Sequence, residues 1–293
     1  MRYESAGAFR MALEARLNQR AAGAAEDVLR LRRAVAFERV LVRLACADEP
    51  HWVLKGGTAL EVRYDRLARA TRDVDLAFSG TEPAVDAADD LIDALASDPH
   101  GDLFTFEVTD RRVLSVIGLR GAVVRLAVAA RLDGRVFERF VVDLVSSEGR
   151  SVPAETIPIG HELAFADLPT VDLRVLDLRV HFAEKLDAFT QVFADRENTR
   201  VKDLVDLVLL IERGLPADAQ LVDAVAQSFA EKERALPSAV LAEPPNGWTD
   251  DYASMAAAVR LSAADIDSGF AVVQTFWQAA LAVTNPSTPD SDH

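Results

Sequence analysis

Two short motifs in the N-terminal third of the chain contain residue types that could bind a phosphorylated substrate. The first consists of Gly56, Gly57 and Thr58, which follow the apolar Trp52-Val-Leu54 and precede the apolar helical stretch 59–64. Glycines let the backbone turn tightly and approach a ligand, and the N–H groups at the start of a helix attract phosphate oxygens. Thr58 adds a hydroxyl group. The first motif therefore predicts a phosphate-binding turn.

The second motif places two acids close together. Asp73 and Asp75 are two residues apart in an otherwise apolar run that ends at Phe78, which is typical of a buried strand. Because side chains two apart on a strand project from the same face, the two carboxylates should lie side by side. Their mutual repulsion favours a divalent cation, and Mg²⁺ commonly uses one or two carboxylates together with phosphate oxygens of a substrate. Asp73 and Asp75 are therefore the predicted metal ligands.

The two motifs in this order resemble the first motif of the DNA polymerase β-like nucleotidyltransferases, in the form found in the AbiEii/AbiGii toxin family. The usual superfamily form has Gly-Ser followed by Asp-x-Asp after a shorter gap. Here Thr58 replaces the serine and keeps its hydroxyl group. The longer gap implies a different loop between the glycine turn and Asp73.

A third acid lies in a later apolar strand. Asp143 interrupts the run Phe140-Val-Val-Asp-Leu-Val145. A lone acid at a core-strand position is costly unless it is paired or binds a metal, which favours a functional role. The superfamily carries a third carboxylate on a later strand of its sheet, and the resemblance implies that Asp143 is that residue.

Candidate residues in the C-terminal half lie on two helical patterns. Lys185 falls beside an apolar stripe between Phe182 and Phe189, so its stem could be buried while its ammonium faces a cleft. Lys202, Asp203 and Asp206 share one helix edge, which could simply form an ion pair at a helix start. The family resemblance, which includes a lysine and a Lys/Arg-Asp-x-x-Asp element, implies that Lys185, Asp203 and Asp206 complete the site.

Two groups of arginines could contact phosphates. The first group falls on one predicted helix, where RNA contact and ordinary intrahelical ion pairing are equal alternatives; it comprises Arg30, Arg32, Arg33, Arg39 and Arg43. The second group precedes Asp73 and could hold nucleotide phosphates or form a surface loop; it comprises Arg63, Arg66, Arg69 and Arg72. Arg72 is the member predicted to bind nucleotide.

Composition limits the classes of protein that the chain can belong to. Half of the 293 residues are hydrophobic, and the formal net charge is −15. Such an acidic chain is not expected to coat nucleic acids nonspecifically, because nonspecific affinity for nucleic acids comes largely from Lys and Arg side chains that neutralise phosphates. The single cysteine, Cys46, excludes an internal disulfide and is expected to be a buried thiol. No apolar run of 18 residues and no signal-like N-terminus are present, so we expect a cytoplasmic protein without membrane contact.

The periodicity predicts an α+β protein. Helical spacing is found at 4–20, 24–47, 82–98, 178–193, 202–213, 217–233, 252–260 and 263–284. Strand patterns are found at 52–55, 73–78, 104–108, 113–117, 123–132 and 136–145, and Leu132-Asp-Gly-Arg135 is a hairpin signal. We expect a nucleotidyltransferase fold with a mixed β-sheet, an N-terminal helical layer and a C-terminal helical domain. The predicted ranges are 1–150 for the nucleotidyltransferase domain with its N-terminal helices, 151–285 for the helical domain and 286–293 for a disordered tail.

The resemblance implies a nucleotidyltransferase toxin of a bacterial toxin–antitoxin system. It would use one or two Mg²⁺ ions to transfer a nucleoside monophosphate from a nucleoside triphosphate to an acceptor, the 3′ end of tRNA in related toxins, and would have an antitoxin partner. Its catalytic residues would be Asp73, Asp75, Asp143, Lys185, Asp203 and Asp206. Its nucleotide-binding residues would be Gly56, Gly57, Thr58, Arg72 and Lys185. The alternatives are transfer to a small molecule such as an antibiotic, and an inactive nucleotide-binding interaction protein.

Overall fold

A computed structural model describes residues 1–24, 27–47, 51–115 and 122–284 of the chain. These residues form two compact units. The first contains Met1–Arg63 and Ala70–Leu176, and the second contains Tyr64–Arg69 and the described residues from Asp177 onward. The sheet-containing unit thus ends at Leu176, whereas the boundary predicted from the sequence lies at residue 150. The predicted disordered tail lies outside the described residues.

The described part of the chain contains helices in both units. In chain order they are Ala6–Ala24 (α1), Val28–Ala45 (α2), Gly56–Tyr64 (α3), Ala84–Ala96 (α4), Leu178–Phe189 (α5), Val201–Glu212 (α6), Ala219–Glu231 (α7), Thr249–Ala258 (α8) and Ile266–Thr284 (α9). Short 3₁₀ turns occur at Asp65–Leu67, Ala164–Ala166 and Asn246–Trp248. Within these ranges, no helix is both long and apolar enough to cross a membrane.

One seven-stranded sheet forms the centre of the first unit. Its strands are Trp52–Lys55 (β1), Asp73–Phe78 (β2), Phe104–Ser115 (β3), Ala122–Leu132 (β4), Arg135–Ser146 (β5), Ala154–Ile159 (β6) and Val171–Leu176 (β7). The spatial order is β3-β4-β5-β2-β1-β7-β6. The β1–β7 and β2–β5 pairs are parallel, whereas the remaining pairs are antiparallel. The sheet is therefore mixed, which confirms the predicted α+β class.

Two differences from the predicted strands have local causes. The stretches predicted at 104–108 and 113–117 form one continuous strand, β3, with a bulge between Val108 and Asp110; residues 116 and 117 lie outside the described residues. The Pro-containing segment between β5 and β7, for which the sequence predicts no strand, contributes β6, which pairs with β7 at the sheet edge. An edge strand tolerates a proline such as Pro158 because one side of its backbone has no strand partner.

The sheet has an apolar face that packs against the N-terminal helices. Leu54, Leu76, Leu144 and Val124 occupy neighbouring positions on β1, β2, β5 and β4, and each is at most 1% exposed. They join one hydrophobic core with the buried stripes of α1, α2 and α4. Because side chains alternate along a strand, the residues next to this apolar row project from the opposite face.

Two of the α2 arginines belong to the core of the first unit. Arg39 and Arg43 have fully buried side chains, and Arg43 binds both carboxylate oxygens of Asp102 at 2.8 and 2.9 Å. A buried guanidinium cannot contact RNA, and Asp102 lies outside α2, so neither RNA contact nor intrahelical pairing on an exposed face describes Arg43. The prediction of a buried thiol at Cys46 is wrong: α2 ends at Ala45, and Cys46 follows as an exposed C-cap residue outside the apolar stripe.

The second unit is helical, as the sequence predicts. Helices α5, α6, α7 and α9 pack around a core that includes Phe182, Leu207 and Trp277, all fully buried. The loop between α5 and α6 is held by Asn198, whose side-chain amide donates hydrogen bonds to three backbone carbonyls of residues 188, 189 and 191. These contacts fix the chain where it enters α6.

Candidate active site

A row of charged residues crosses four adjacent strands on the face opposite the apolar core. Lys55 pairs with Asp75, Asp75 pairs with Asp143, and Asp143 pairs with Arg125. Residues that are directly paired across strands project from the same face and lie within about 5 Å of one another at the backbone. The structure therefore brings two of the predicted catalytic carboxylates together at the centre of the sheet, with a basic residue on either side.

Asp73 lies on the same face as Asp75 because it is two residues earlier on β2. Its Oδ1 accepts a hydrogen bond from Thr71 Oγ1 at 2.7 Å, which fixes its rotamer. Thr58 is also close to this residue: its hydroxyl group donates a 2.6 Å hydrogen bond to the backbone carbonyl of Asp73. Thr58 is 2% exposed. Its hydroxyl group thus ties the first turn of α3 to the start of β2.

Gly56 is needed where α3 begins. Its φ of +64° is a backbone conformation that favours glycine. A Cβ atom at this position would lie 1.9 Å from Oδ2 of Asp75, so the carboxylate packs directly against the glycine Cα. The N–H groups of the first helical turn have no partner within the helix and carry partial positive charge. Because residue 56 is a glycine, the first turn of α3 can lie directly beside the Asp75 carboxylate.

Arg125 holds the third predicted carboxylate. Its Nε and Nη2 donate hydrogen bonds of 2.8 and 2.6 Å to Oδ1 and Oδ2 of Asp143. This hydrogen bonding to Asp143 raises the pKa of Arg125, and the nearby charges of Asp73 and Asp75 act in the same direction. Sequence reasoning missed Arg125. The signal was available, because Arg125 interrupts the apolar β4 just as Asp143 interrupts β5.

The oxygen-rich donor set suits a hard divalent cation. Asp73, Asp75 and Asp143 share one face, and the Asp75–Asp143 pairing keeps their side chains adjacent. Within the described ranges, no three His, Cys, Asp or Glu side chains are grouped tightly enough to hold a metal by themselves. Two carboxylates completed by phosphate oxygens of a substrate would meet the usual preference of Mg²⁺. The residues therefore fit a cation that arrives with a nucleotide.

The arginines between the two motifs have different surroundings. Arg63 donates to a Glu155 carboxylate oxygen and to the Leu176 carbonyl. Arg66 is about half exposed, with Asp65 3.9 Å away. Arg72 is exposed, and the described residues provide no hydrogen-bond or ion-pair partner for its side chain. Of these three, Arg72 is the one whose guanidinium is available for a nucleotide phosphate.

The predicted C-terminal site residues form a buried ion cluster inside the second unit. Lys185 Nζ lies 3.0 Å from Asp203 Oδ1 and 2.8 Å from Asp206 Oδ2. Arg69 completes the cluster, because its Nε and Nη2 each donate a 2.9 Å hydrogen bond to Asp206. The Asp206 side chain is fully buried, and that of Lys185 is 10% exposed. Two cations and two carboxylates thus form the cluster, and Arg200 Nη1 lies 3.9 Å from Asp203 Oδ2 at its edge.

The protonation states of this cluster follow from its contacts. Burial alone would lower the pKa of Lys185, but the charges of Asp206 and Asp203 outweigh it and raise that pKa. Burial alone would raise the pKa of Asp206, and Lys185 and Arg69 together lower it. Lys185 therefore remains an ammonium and Asp206 a carboxylate at neutral pH. Sequence spacing placed Asp203 and Asp206 on one helix edge. It did not predict that Arg69, a candidate phosphate ligand in the sequence, pairs with Asp206.

Comparison with known proteins identifies relatives over most of the chain. A family model described as "Nucleotidyl transferase AbiEii toxin, Type IV TA system" matches residues 39–282. A search of curated proteins gave no significant match.

Among solved structures, MenT4, a nucleotidyltransferase toxin from Mycobacterium tuberculosis H37Rv, is similar at a TM-score of 0.62 and 19% identity, covering 92% of this chain and 89% of that one. This similarity supports the assignment of the fold. A putative nucleotidyltransferase from Helicobacter pylori is matched at a TM-score of 0.39 and 14% identity, with 90% of this chain and 96% of that one covered.

Proposed function

Because the chain belongs to the AbiEii family of nucleotidyltransferase toxins, we propose that it transfers a nucleoside monophosphate from a nucleoside triphosphate to the 3′ end of tRNA. Pyrophosphate is the second product. The reaction is a displacement at the α-phosphorus, which needs positioning and charge stabilisation rather than a protein nucleophile.

The observation that carries this proposal is the pairing of Asp75 with Asp143, with Asp73 on the same face. Three acids gathered on a rigid sheet repel each other and favour a bound cation. Asp73 and Asp75 would hold Mg²⁺ together with the triphosphate. When bound, this cation neutralises charge on the phosphoryl oxygens and on the leaving pyrophosphate.

The remaining roles are assigned to groups of this chain. The N–H groups of Gly56, Gly57 and Thr58 bind triphosphate oxygens, because the first N–H groups of a helix such as α3 have no partner within the helix. Arg72 adds a cation at the start of β2. The Thr58 hydroxyl group keeps this turn and β2 in register by its bond to the Asp73 carbonyl. Asp143 supplies the third carboxylate of the proposed catalytic site.

Lys185, Asp203 and Asp206 are included in the proposal on the basis of family resemblance. The Lys185 ammonium has three protons, and two of them point to Asp203 and Asp206. Its third proton is left for a further acceptor without breaking either ion pair. Asp203 and Asp206 then hold the ammonium in position and keep it protonated.

The charge and the family support the proposed acceptor and partner. A chain with a net charge of −15 binds RNA poorly along an extended surface, so a short terminal segment such as the 3′ end of tRNA is the acceptor that suits it. The family description refers to type IV toxin–antitoxin systems, and we extend it to a cognate antitoxin protein for this chain.

The direct test incubates the purified protein with each of the four α-³²P-labelled nucleoside triphosphates, Mg²⁺ and total bacterial RNA. Products are separated into tRNA, longer RNA and small molecules. Label should appear in the tRNA fraction with one or more nucleotides. Asp75→Asn should abolish it, whereas Asp172→Asn, which removes an exposed acid from β7 of the same sheet, should retain it.

The same experiment separates the alternatives. Label that appears only in a small-molecule fraction, after cell extract is added, would replace the tRNA assignment with transfer to a small molecule. Nucleotide binding without any labelled product would indicate an inactive interaction protein. Equal labelling by the wild type and Asp75→Asn would contradict the proposed site itself.

A further inference from the structure

Arg125 is a charged residue in an unusual position. It lies in the centre of an apolar strand, at the sheet position next to Asp143, and 46% of its side chain is exposed. The residues on either side of it, Val124 and Leu126, are fully buried in the core. Arg125 therefore projects from the same face as the carboxylate row, where it is accessible to a ligand.

The contact with Asp143 uses two of the five guanidinium donors and both carboxylate oxygens. The guanidinium fork meets both carboxylate oxygens at 2.8 and 2.6 Å, the two-point geometry by which arginine also binds a phosphate. A cation shared with Asp143 would compete with this fork for the same oxygens. The guanidinium and a divalent cation are thus alternative partners of one carboxylate.

Building on the proposed function, we propose that Arg125 is a phosphate-binding residue that rests on Asp143 until metal and nucleotide arrive. With a divalent cation on Asp143, the Arg125 guanidinium would be released from that carboxylate and would bind phosphate oxygens of the substrate. The exchange replaces one ion pair by another, so no charge is left without a partner. The pair is only partly buried, with 46% of the Arg125 side chain and 15% of the Asp143 side chain exposed, so solvent and ligands can reach the guanidinium.

The position of Arg125 also explains why the free protein tolerates three neighbouring acids. Its charge interacts favourably with Asp73 and Asp75 as well as with Asp143. Lys55 supplies a basic residue on the other side of Asp75. In the absence of a metal, these flanking cations reduce the repulsion within the carboxylate row. A residue with this role should weaken metal binding in the free protein and aid catalysis in the complex.

The first measurement is the affinity of the nucleotide-free protein for Mn²⁺, followed by electron paramagnetic resonance. Arg125→Gln should bind Mn²⁺ with a dissociation constant about tenfold lower than that of the wild type, because a competing charge a few ångströms away has been removed. The matched control is Arg131→Gln. Arg131 is on the same strand and pairs with Glu107 at 2.9 Å, so this variant makes the same charge change away from the carboxylate row.

The second measurement is steady-state labelling of RNA by the same proteins. Arg125→Gln should turn over at least tenfold more slowly at saturating metal, while Arg131→Gln should match the wild type. A rise in the KM of the nucleoside triphosphate would identify the triphosphate as the source of the bound phosphate. A rise in the KM of RNA alone would identify the acceptor backbone instead.

Two results would overturn the role of Arg125 and leave the proposed function in place. One is an equal Mn²⁺ affinity in the wild type, Arg125→Gln and Arg131→Gln, together with an active wild type. The other is tighter Mn²⁺ binding by Arg125→Gln with unchanged turnover and unchanged KM values. If the wild type neither binds Mn²⁺ nor labels any acceptor, both the inference and the proposed function are wrong.

Discussion

Asp75 and Asp143 are directly paired across the parallel strands β2 and β5, although they are far apart in the sequence. Each is half-buried, and each sits between fully buried neighbours on its own strand. The rigidity of the sheet therefore holds two like charges side by side. Two neighbouring carboxylates favour a bound cation, and in the free protein Arg125 and Lys55 flank them on the same face.

Replacing Asp75 by Asn removes one of these charges with almost no change in volume. We expect loss of nucleotidyl transfer by at least about a thousandfold, because a metal ligand is lost. The free energy of unfolding should stay within about 0.5 kcal/mol of the wild type or rise slightly, since repulsion is relieved. Urea denaturation and RNA labelling of the same preparation measure the two effects. A large loss of cooperativity on unfolding would assign Asp75 a structural role instead.

Gly56→Ala tests the close approach of α3 and β2. The new methyl group would meet the Asp75 carboxylate at 1.9 Å, and the φ of +64° is unfavourable for alanine. We expect a loss of about 1–3 kcal/mol in the free energy of unfolding and a strong loss of activity, since Asp75 must move. Gly134→Ala is the matched control. Gly134 has a φ of +67°, but its Cβ would meet no atom within 4 Å, so this variant should lose some stability and keep its activity.

Much of this arrangement could be predicted from sequence, because it depends on local periodicity. The alternation in β2 and β5 places Asp73, Asp75 and Asp143 on strands without knowledge of the sheet order. Their partners could not be predicted in the same way. Arg125 meets Asp143 only through the β4–β5 register, and Arg69 meets Asp206 across a long stretch of chain. The use of the Thr58 hydroxyl group by a backbone carbonyl also has no sequence signature.

Replacing Lys185 by Met should affect folding as well as catalysis. The substitution leaves Asp203 and Asp206 buried with fewer cations, and breaking a buried ion pair from one side costs about 3–5 kcal/mol. We expect a loss of that size in urea unfolding at neutral pH. The double variant Lys185→Met/Asp203→Leu should regain part of the loss, because one of the unpaired acids is gone. If Lys185→Met is as stable as the wild type, the ion pairs of Lys185 with Asp203 and Asp206 do not contribute the expected stability.

The pH dependence of stability should reveal the role of Arg69. The folded-state pKa of Asp206 is lowered, so its contribution is present above the unfolded value, about 3.9, and is lost as the pH falls through the folded value. The raised pKa of Lys185 keeps its own contribution constant below about pH 10. Arg69→Gln should therefore lower the free energy of unfolding at pH 7, and its difference from the wild type should shrink below about pH 4.

Urea unfolding between pH 7 and pH 3 provides this comparison. Arg213→Gln is the control, because Arg213 is exposed and its side chain has no hydrogen-bond or ion-pair partner among the described residues. This variant should follow the wild type throughout the pH range. A constant difference between Arg69→Gln and the wild type at every pH would mean that Arg69 stabilises the unit without acting on Asp206.

The parallel β2–β5 pairing also determines when the carboxylate row can first form during synthesis of the chain. Strands β3, β4 and β5 are joined by antiparallel pairings that can form soon after each strand leaves the ribosome. The pairing that aligns Asp75 with Asp143 must instead close a long loop, which is entropically costly and slow. A nascent chain that stops before β5 lacks this alignment. The carboxylate row is therefore complete only after β5 has been translated.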